Sequence, residues 1–299
     1  LQSNTSLIRP ETVVSARGGS AMLSAAQNAT QGFWYDQPSA TAGVNLTNAQ
    51  SMLAAIPRRP LAGIWNQGEQ DTFYVDDEAK RVAFRDSTSA CLDLLRAAMN
   101  PSDASAVTFY LTPVGRREGL DTAQSNLGYN LVRHAHLEVI ANNPRVQFGG
   151  EFYDVELVDG VHGTYAGYER MARRTADIIA AQFNTSHTPV LGPSIASATR
   201  QTTTTVDVAI TLETGQTLVR PATADHFGVY TSAGVRLPVT GTAWTDNTVR
   251  LTVEGTLDSG GTLRYPDGNL GAFLASNVVR YAGVDRPLRS SIPLTIAEI

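Results

Sequence analysis

The chain has 299 residues, 42% hydrophobic and 17% charged, with a net charge of −5 from 23 basic and 28 acidic side chains. Sparse charge with ordinary apolar content excludes a disordered chain, and no run of about 18 apolar residues exists to form a membrane-spanning helix. The acidic balance argues against a nucleic-acid surface, which needs clustered Lys and Arg; Lys80 is the single lysine, a bias that reads as one of coding and not of function. At roughly 100–200 residues per domain, two globular domains are expected, and nothing at the start reads as a secretory signal.

In chain order, Thr12 to Ser15 reads as a short strand running into Arg17-Gly18-Gly19-Ser20. Leu61 to Trp65 is a second strand, followed at once by the polar run Asn66 to Asp71. Asp77 to Met99 has apolar residues at helical spacing (Val82, Phe84, Leu92, Leu95, Met99). Ala106 to Leu111 is a strand, Thr122 to Ala141 a helix, and Arg145 to Phe148 a strand. Gly163 to Phe183 reads as an amphipathic helix with Tyr168, Met171, Thr175, Ile178 and Ile179 towards the core. Strands separated by helices imply a parallel sheet covered on both faces, hence an α/β domain over residues 1–188. The single cysteine, Cys91, lies among Ala90, Leu92, Leu94 and Leu95 and reads as a buried structural thiol.

Beyond Thr188, Pro189 and Pro193 mark a linker and the pattern changes. Thr204 to Leu212, Thr217 to Arg220, Gly228 to Thr231, Thr248 to Glu254 and Thr262 to Tyr265 alternate with period two between Gly, Asp and Asn clusters. Residues 189–299 are therefore expected to form an all-β, immunoglobulin- or fibronectin-like sandwich.

The candidate chemistry lies just past the C-terminal ends of the expected strands, where open α/β sheets place their sites. Gly18 and Gly19 let backbone N–H groups approach a ligand closely; a plain strand-to-helix turn is the simpler alternative. The run Trp65-Asn66-Gln67-Gly68-Glu69-Gln70-Asp71 makes a polar lip in which the Gln67 amide has two hydrogens to offer a developing oxyanion. Asp159 and His162 stand three residues apart at a helix entrance. There the carboxylate can curl back onto the imidazole Nδ1–H and leave Nε2 outward as a general base.

Together, "ARGGS", "WNQGEQD" and "DGVHGTYAGY" resemble the SGNH hydrolases, in the branch of sialate O-acetylesterases and related carbohydrate acetylesterases. There the corresponding blocks look like A-x-G-G-[ST], W-x-Q-G-E-x-D and D-x-x-H-x-x-x-x-G-Y. "NLVRHAHLEVIANNP" is similar to the family's penultimate helix, and the resemblance covers roughly residues 8 to 183. It implies an SGNH-like three-layer sandwich, with His162 as base, Asp159 as its orienting partner, and Gly19 N–H and the Gln67 side chain in the oxyanion hole. It also implies a two-step acyl transfer through a serine, with no metal or organic cofactor.

The family's serine lies in a block like G-Q-S-N-M after a central strand, and Leu1-Gln2-Ser3-Asn4 is similar to it. No strand precedes Ser3 and little chain separates it from the next block, so the nucleophile is expected upstream of Leu1 before Ser3; Ser20 ranks behind both. Trp34 and Tyr35 are candidates to stack on a sugar ring or to pack in a core or lid. Arg116 and Arg117, with Glu118, would touch an acidic sugar or form a solvated loop. His134 and His136, two apart on a helix, make a poor metal pair, and His187 and His226 have no chemical context.

"RPLRSSIPLTI" and "LRYPDGN" resemble β-sandwich modules that follow esterase domains in phage tail, fibre and spike proteins. The expectation is a carbohydrate O-acetylesterase acting on an acetylated bacterial surface glycan, on a virion or phage-like particle or extracellular. Its partners would be that glycan and other particle proteins or an N-terminal segment. The alternative is an inactive glycan-binding adhesin or structural virion protein with the same fold. A lipase or peptidase of the superfamily comes third.

Overall fold

The computed structural model describes residues 14–56, 59–120, 122–224, 226–271 and 273–299. Packing divides the chain into two compact units, one of Leu1–Val114, Leu127–Gly150 and Thr175–Pro189, the other of Gly115–Asn126, Glu151–Arg174 and Val190–Ile299. The Pro189–Val190 junction falls where the composition changes. Two stretches of the earlier sequence nevertheless pack with the later one.

The first unit carries a short hairpin, β1 (Tyr35–Asp36) with β2 (Thr41–Ala42), then helix α1 (Val44–Ala55). Strands β3 (Ala62–Trp65), β4 (Thr108–Leu111) and β5 (Val146–Phe148) form a parallel sheet in that order, with Ala62 opposite Thr108 and Phe109 opposite Val146. Parallel neighbours need crossovers. Helix α2 (Glu78–Met99) joins β3 to β4, and α3 (Ala123–Asn142) joins β4 to β5. All four residues of β4 are buried, as expected of a central strand.

Asp77 starts α2 because its side chain accepts from Lys80 N at 2.8 Å. The helix then buries Phe84, Cys91, Leu92, Leu95 and Met99, whereas Val82 is half-buried and Leu94 is exposed. Burial pushes the Cys91 thiol far up, so it stays protonated as a core side chain.

Two differences from the sequence reading concern the start of this unit. Of the strand expected at Thr12 to Ser15, Thr12 and Val13 lie outside the described residues, while Val14 and Ser15 are exposed and unpaired in any strand. Helix α1 carried no clear signal, because apolar residues occur all round it: Leu46, Ala49 and Leu53 face inward, but Val44 and Met52 face solvent. Gly43 precedes it where a Cβ would collide with the Phe33 carbonyl at 2.0 Å.

In the second unit, helix α4 (Tyr165–Phe183) begins, and strands β6 (Ser194–Thr202), β7 (Thr205–Thr211), β8 (Leu218–Val219), β9 (Gly228–Tyr230), β10 (Arg236–Leu237), β11 (Val239–Thr245), β12 (Thr248–Val253), β13 (Thr262–Tyr265), β14 (Arg280–Tyr281) and β15 (Ser291–Thr295) follow. Two antiparallel sheets, β11-β12-β7-β6 and β10-β9-β13-β15, share one core, and β14 pairs with β8. Period-two side-chain alternation explains the inward rows: Val206, Val208 and Ile210 on β7 meet Val249, Leu251 and Val253 on β12.

Tyr153, from well before the linker, is fully buried in this core and donates to Leu288 O at 2.7 Å. The same stretch is held by Arg174, whose guanidinium donates to Asp154 Oδ1 and Oδ2 at 2.5 and 2.8 Å and to Asp285 Oδ1 at 2.6 Å. Burial alone would raise the Asp285 carboxyl, but hydrogen bonds from Arg170 and Arg174 hold it far below the usual range. On α4, Thr175, Ile178 and Ile179 are buried as expected. Tyr168 is not: it is 40% exposed and stacks on Phe152 at 5.7 Å.

Candidate functional site

Asp159 and His162 occupy a narrow hairpin. Val158 N donates to His162 O at 2.8 Å and Thr164 N to Glu156 O at 2.8 Å, with Gly160 at φ +84 at the bend. Only glycine takes that backbone conformation without strain. Thr164 then caps α4, its Oγ1 accepting from Gly167 N at 3.0 Å.

Within the hairpin, Asp159 Oδ2 lies 2.6 Å from His162 Nδ1, and Oδ1 accepts from His162 N at 2.8 Å and Val161 N at 3.2 Å. The curl-back anticipated from the three-residue spacing is therefore present. The backbone N–H of His162, then its ring, then Val161 N hold the Asp159 carboxyl down at about 2. Both side chains face water, at 62% exposure for His162 and 54% for Asp159. With Nδ1–H on the carboxylate, Nε2 presents its lone pair, the arrangement a general base needs.

In the first unit, the Arg17–Ser20 turn closes with Ser20 N donating to Arg17 O at 3.3 Å, and exposed Gly19 sits at φ +68. Ser20 is buried; its hydroxyl accepts from Trp34 Nε1 at 3.1 Å and its carbonyl from Gln67 Nε2 at 3.0 Å. That leaves Ser20 no access to an ester. The Gln67 amide also donates to Asp71 Oδ2 at 2.8 Å, so its hydrogens are spent inside the protein. The sequence reading had this side chain donating to an oxyanion; here it ties Ser20 to Asp71.

Asp71 is the residue whose part was not foreseen, although it ends the specific motif. Fully buried, it accepts from Met22 N at 2.7 Å, from Leu23 N at 3.1 Å and from Gln67, which fastens the 20–23 segment to the 67–71 loop. Burial raises its carboxyl to about 6 against the lowering pull of those three hydrogen bonds. An aspartate four residues beyond the glutamine was the available signal.

Other expectations change. Trp34 is buried and meets Trp65 edge-on at 4.9 Å, which makes it core and not a sugar platform; Tyr35 is half-buried in β1. Arg116 is buried, ion-paired to Glu118, donating to Val155 O at 3.0 Å and stacked 4.2 Å over Phe273, and that burial keeps it from an acidic sugar. His136 is buried against Phe84, accepts from Val114 N, and is driven down to about 3 by burial, while His134 turns to Glu138 at 3.4 Å. The two rings thus have different surroundings, as the two-residue spacing implied. His187 bonds Asp177 Oδ1 at 2.8 Å and His226 stacks on Phe273 at 5.2 Å. Ser3 lies outside the described residues.

Beside the dyad, the second unit has an open groove of about 710 Å³, walled by Asp159 and Gly160 with Glu118 and by Gly271, Phe273 and Leu274.

A three-stranded parallel sheet with helical crossovers makes the first unit a mixed α/β fold, and the second unit is antiparallel. The chain is similar to the crystal structure of a carbohydrate acetylesterase from Xanthomonas citri, with a TM-score of 0.55, 17% identity, and coverage of 76% of this chain and 49% of that one. It thus spans about half the length of that enzyme, and at this identity the likeness is one of fold. Two structures of the bacterial S-layer protein SbsC match at TM-scores of 0.23 and 0.25 with 14% identity, over 85% of this chain and 47% and 32% of theirs; they carry no argument. No protein-family model and no curated protein matches the sequence.

Proposed function

We propose that the protein is a serine-type carbohydrate O-acetylesterase that removes acetyl groups from a bacterial surface polysaccharide. The observation that carries the reading is the Asp159–His162 pair, bonded at 2.6 Å and open to water, within an acetylesterase-like fold. A serine hydroxyl attacks the acetyl carbonyl and passes its proton to His162 Nε2. That proton goes to the sugar oxygen as the C–O bond breaks, leaving an acetyl-serine. Water then attacks, His162 takes its proton, and acetate departs as the serine regains its hydrogen. Asp159 holds the ring tautomer and stabilises the imidazolium. Gly19 N–H is the proposed oxyanion donor, and Gln67 serves by fixing the carbonyl of the next residue.

The serine is either Ser3 or one outside these 299 residues. The antiparallel unit is proposed as an immunoglobulin-like accessory module. The test is acetate release from O-acetylated oligosaccharides by the native protein and by His162→Ala. A fall of about 10³-fold or more supports the reading. Equal rates, or saccharide binding with no turnover, defeat it.

A further inference from the structure

We infer that the groove beside the dyad is the subsite for the sugar that bears the acetyl group, and that it selects neutral over anionic saccharides. The inference rests on the esterase reading and adds a substrate class to it.

The groove is lined by acidic and apolar side chains. The charged side chains that line it are Glu118 and Asp159, and no Arg or Lys lines it among the described residues. Two cations of this unit are engaged within the protein: Arg116 lies buried under Phe273 as the inner half of its pair with Glu118, and Arg280 donates to the Ala275 carbonyl. Glu118 is the exposed half of its pair, 43% against 3% for Arg116. An entering carboxylate therefore meets oxygen atoms with negative charge, while sugar hydroxyls find acceptors.

The apolar lining is Leu274, 55% exposed, and Phe273, which meets the Arg116 guanidinium at 4.2 Å and stacks on the His226 ring at 5.2 Å. The loop that carries them is built into place. Asn269 is fully buried; its Nδ2 donates to Leu120 O and, at 2.9 Å, to Ser125 Oγ. Its Oδ1 accepts from Gly271 N at 3.0 Å, and its carbonyl accepts from Arg117 N at 2.8 Å. Apolar lining together with hydroxyl acceptors suits the C–H face and hydroxyl edge of a pyranose.

The test compares kcat/KM of the native protein on an O-acetylated neutral oligosaccharide, an O-acetylated sialic acid or uronate, and p-nitrophenyl acetate. The neutral saccharide is expected to exceed the acidic one about tenfold or more. Glu118→Gln should narrow that gap several-fold. Leu274→Asp should lower the ratio of neutral saccharide to p-nitrophenyl acetate about tenfold, through KM. Equal or better use of the acidic ester, or ratios unmoved by both variants, overturns the inference. Calorimetric titration of His162→Ala with the same two saccharides reads selection without turnover. Preference for the neutral sugar in a protein that hydrolyses nothing sinks the esterase reading and upholds the groove; equal affinity sinks the groove alone.

Discussion

The Asp159–His162 hairpin and the Gln67–Asp71 loop each present an aspartate that accepts three hydrogen bonds, yet one carboxyl is held at about 2 and the other raised to about 6. Water makes the difference. Asp159 is solvated, so its N–H donors outweigh a small desolvation cost, whereas full burial of Asp71 outweighs similar donors. The partners differ in reach as well. Asp159 bonds residues two and three positions away, while Asp71 bonds Met22 and Leu23, 49 and 48 positions away. A local, solvated pair is suited to moving protons in a reaction; a buried, long-range one is suited to holding backbone in place.

The comparison predicts opposite responses to mutation. His162→Ala should lower acetyl-ester hydrolysis by about 10³- to 10⁴-fold with little change in thermal midpoint, because an exposed ring makes few packing contacts. A large drop in midpoint would show the hairpin to be structural. Asp71→Ala should instead destabilise by about 2–4 kcal/mol, since buried N–H groups lose their acceptor. Unfolding in urea reads that value, and an unchanged midpoint contradicts the fastening role.

Next in size is a pH effect. The folded state raises the Asp71 pKa from 3.8 to about 6, so it binds the proton more tightly than the unfolded chain does. The stability this confers is full below about pH 4 and is lost as pH rises towards 6, by at most about 3 kcal/mol. Across that window the stability difference between the native protein and Asp71→Asn should shrink as pH rises. A difference independent of pH contradicts the buried carboxyl. Smallest is Gly160→Ala, expected to cost about 1 kcal/mol because alanine is strained at φ +84 and its Cβ would lie 3.1 Å from Glu118 O. Differential scanning calorimetry suffices to detect it.

Legibility in the sequence followed the same division. The geometry of the Asp159–His162 pair could be read because it depends on a single three-residue spacing just before a helix start. The role of Gln67 was misread because its partners, Ser20 and Asp71, become neighbours only through folding. In the antiparallel unit the central strands β7, β12, β9 and β13 showed alternation, since each has a buried face. The edge strands β6, β10, β11 and β15 were missed: "SIASATRQT" and "VTGTAWT" carry small and polar residues, and edges bury less. Tyr153 and Arg174 escaped for a different reason. Their partners lie more than 100 residues further along, so no local pattern marks them as part of the second core.

The most direct test of the account is fluorophosphonate labelling of the native protein and of His162→Ala, followed by peptide mass mapping. The account predicts one labelled serine in the native protein, at Ser3 or outside these 299 residues, and label strongly reduced in the variant. No labelled serine, or equal label in both proteins, would contradict it.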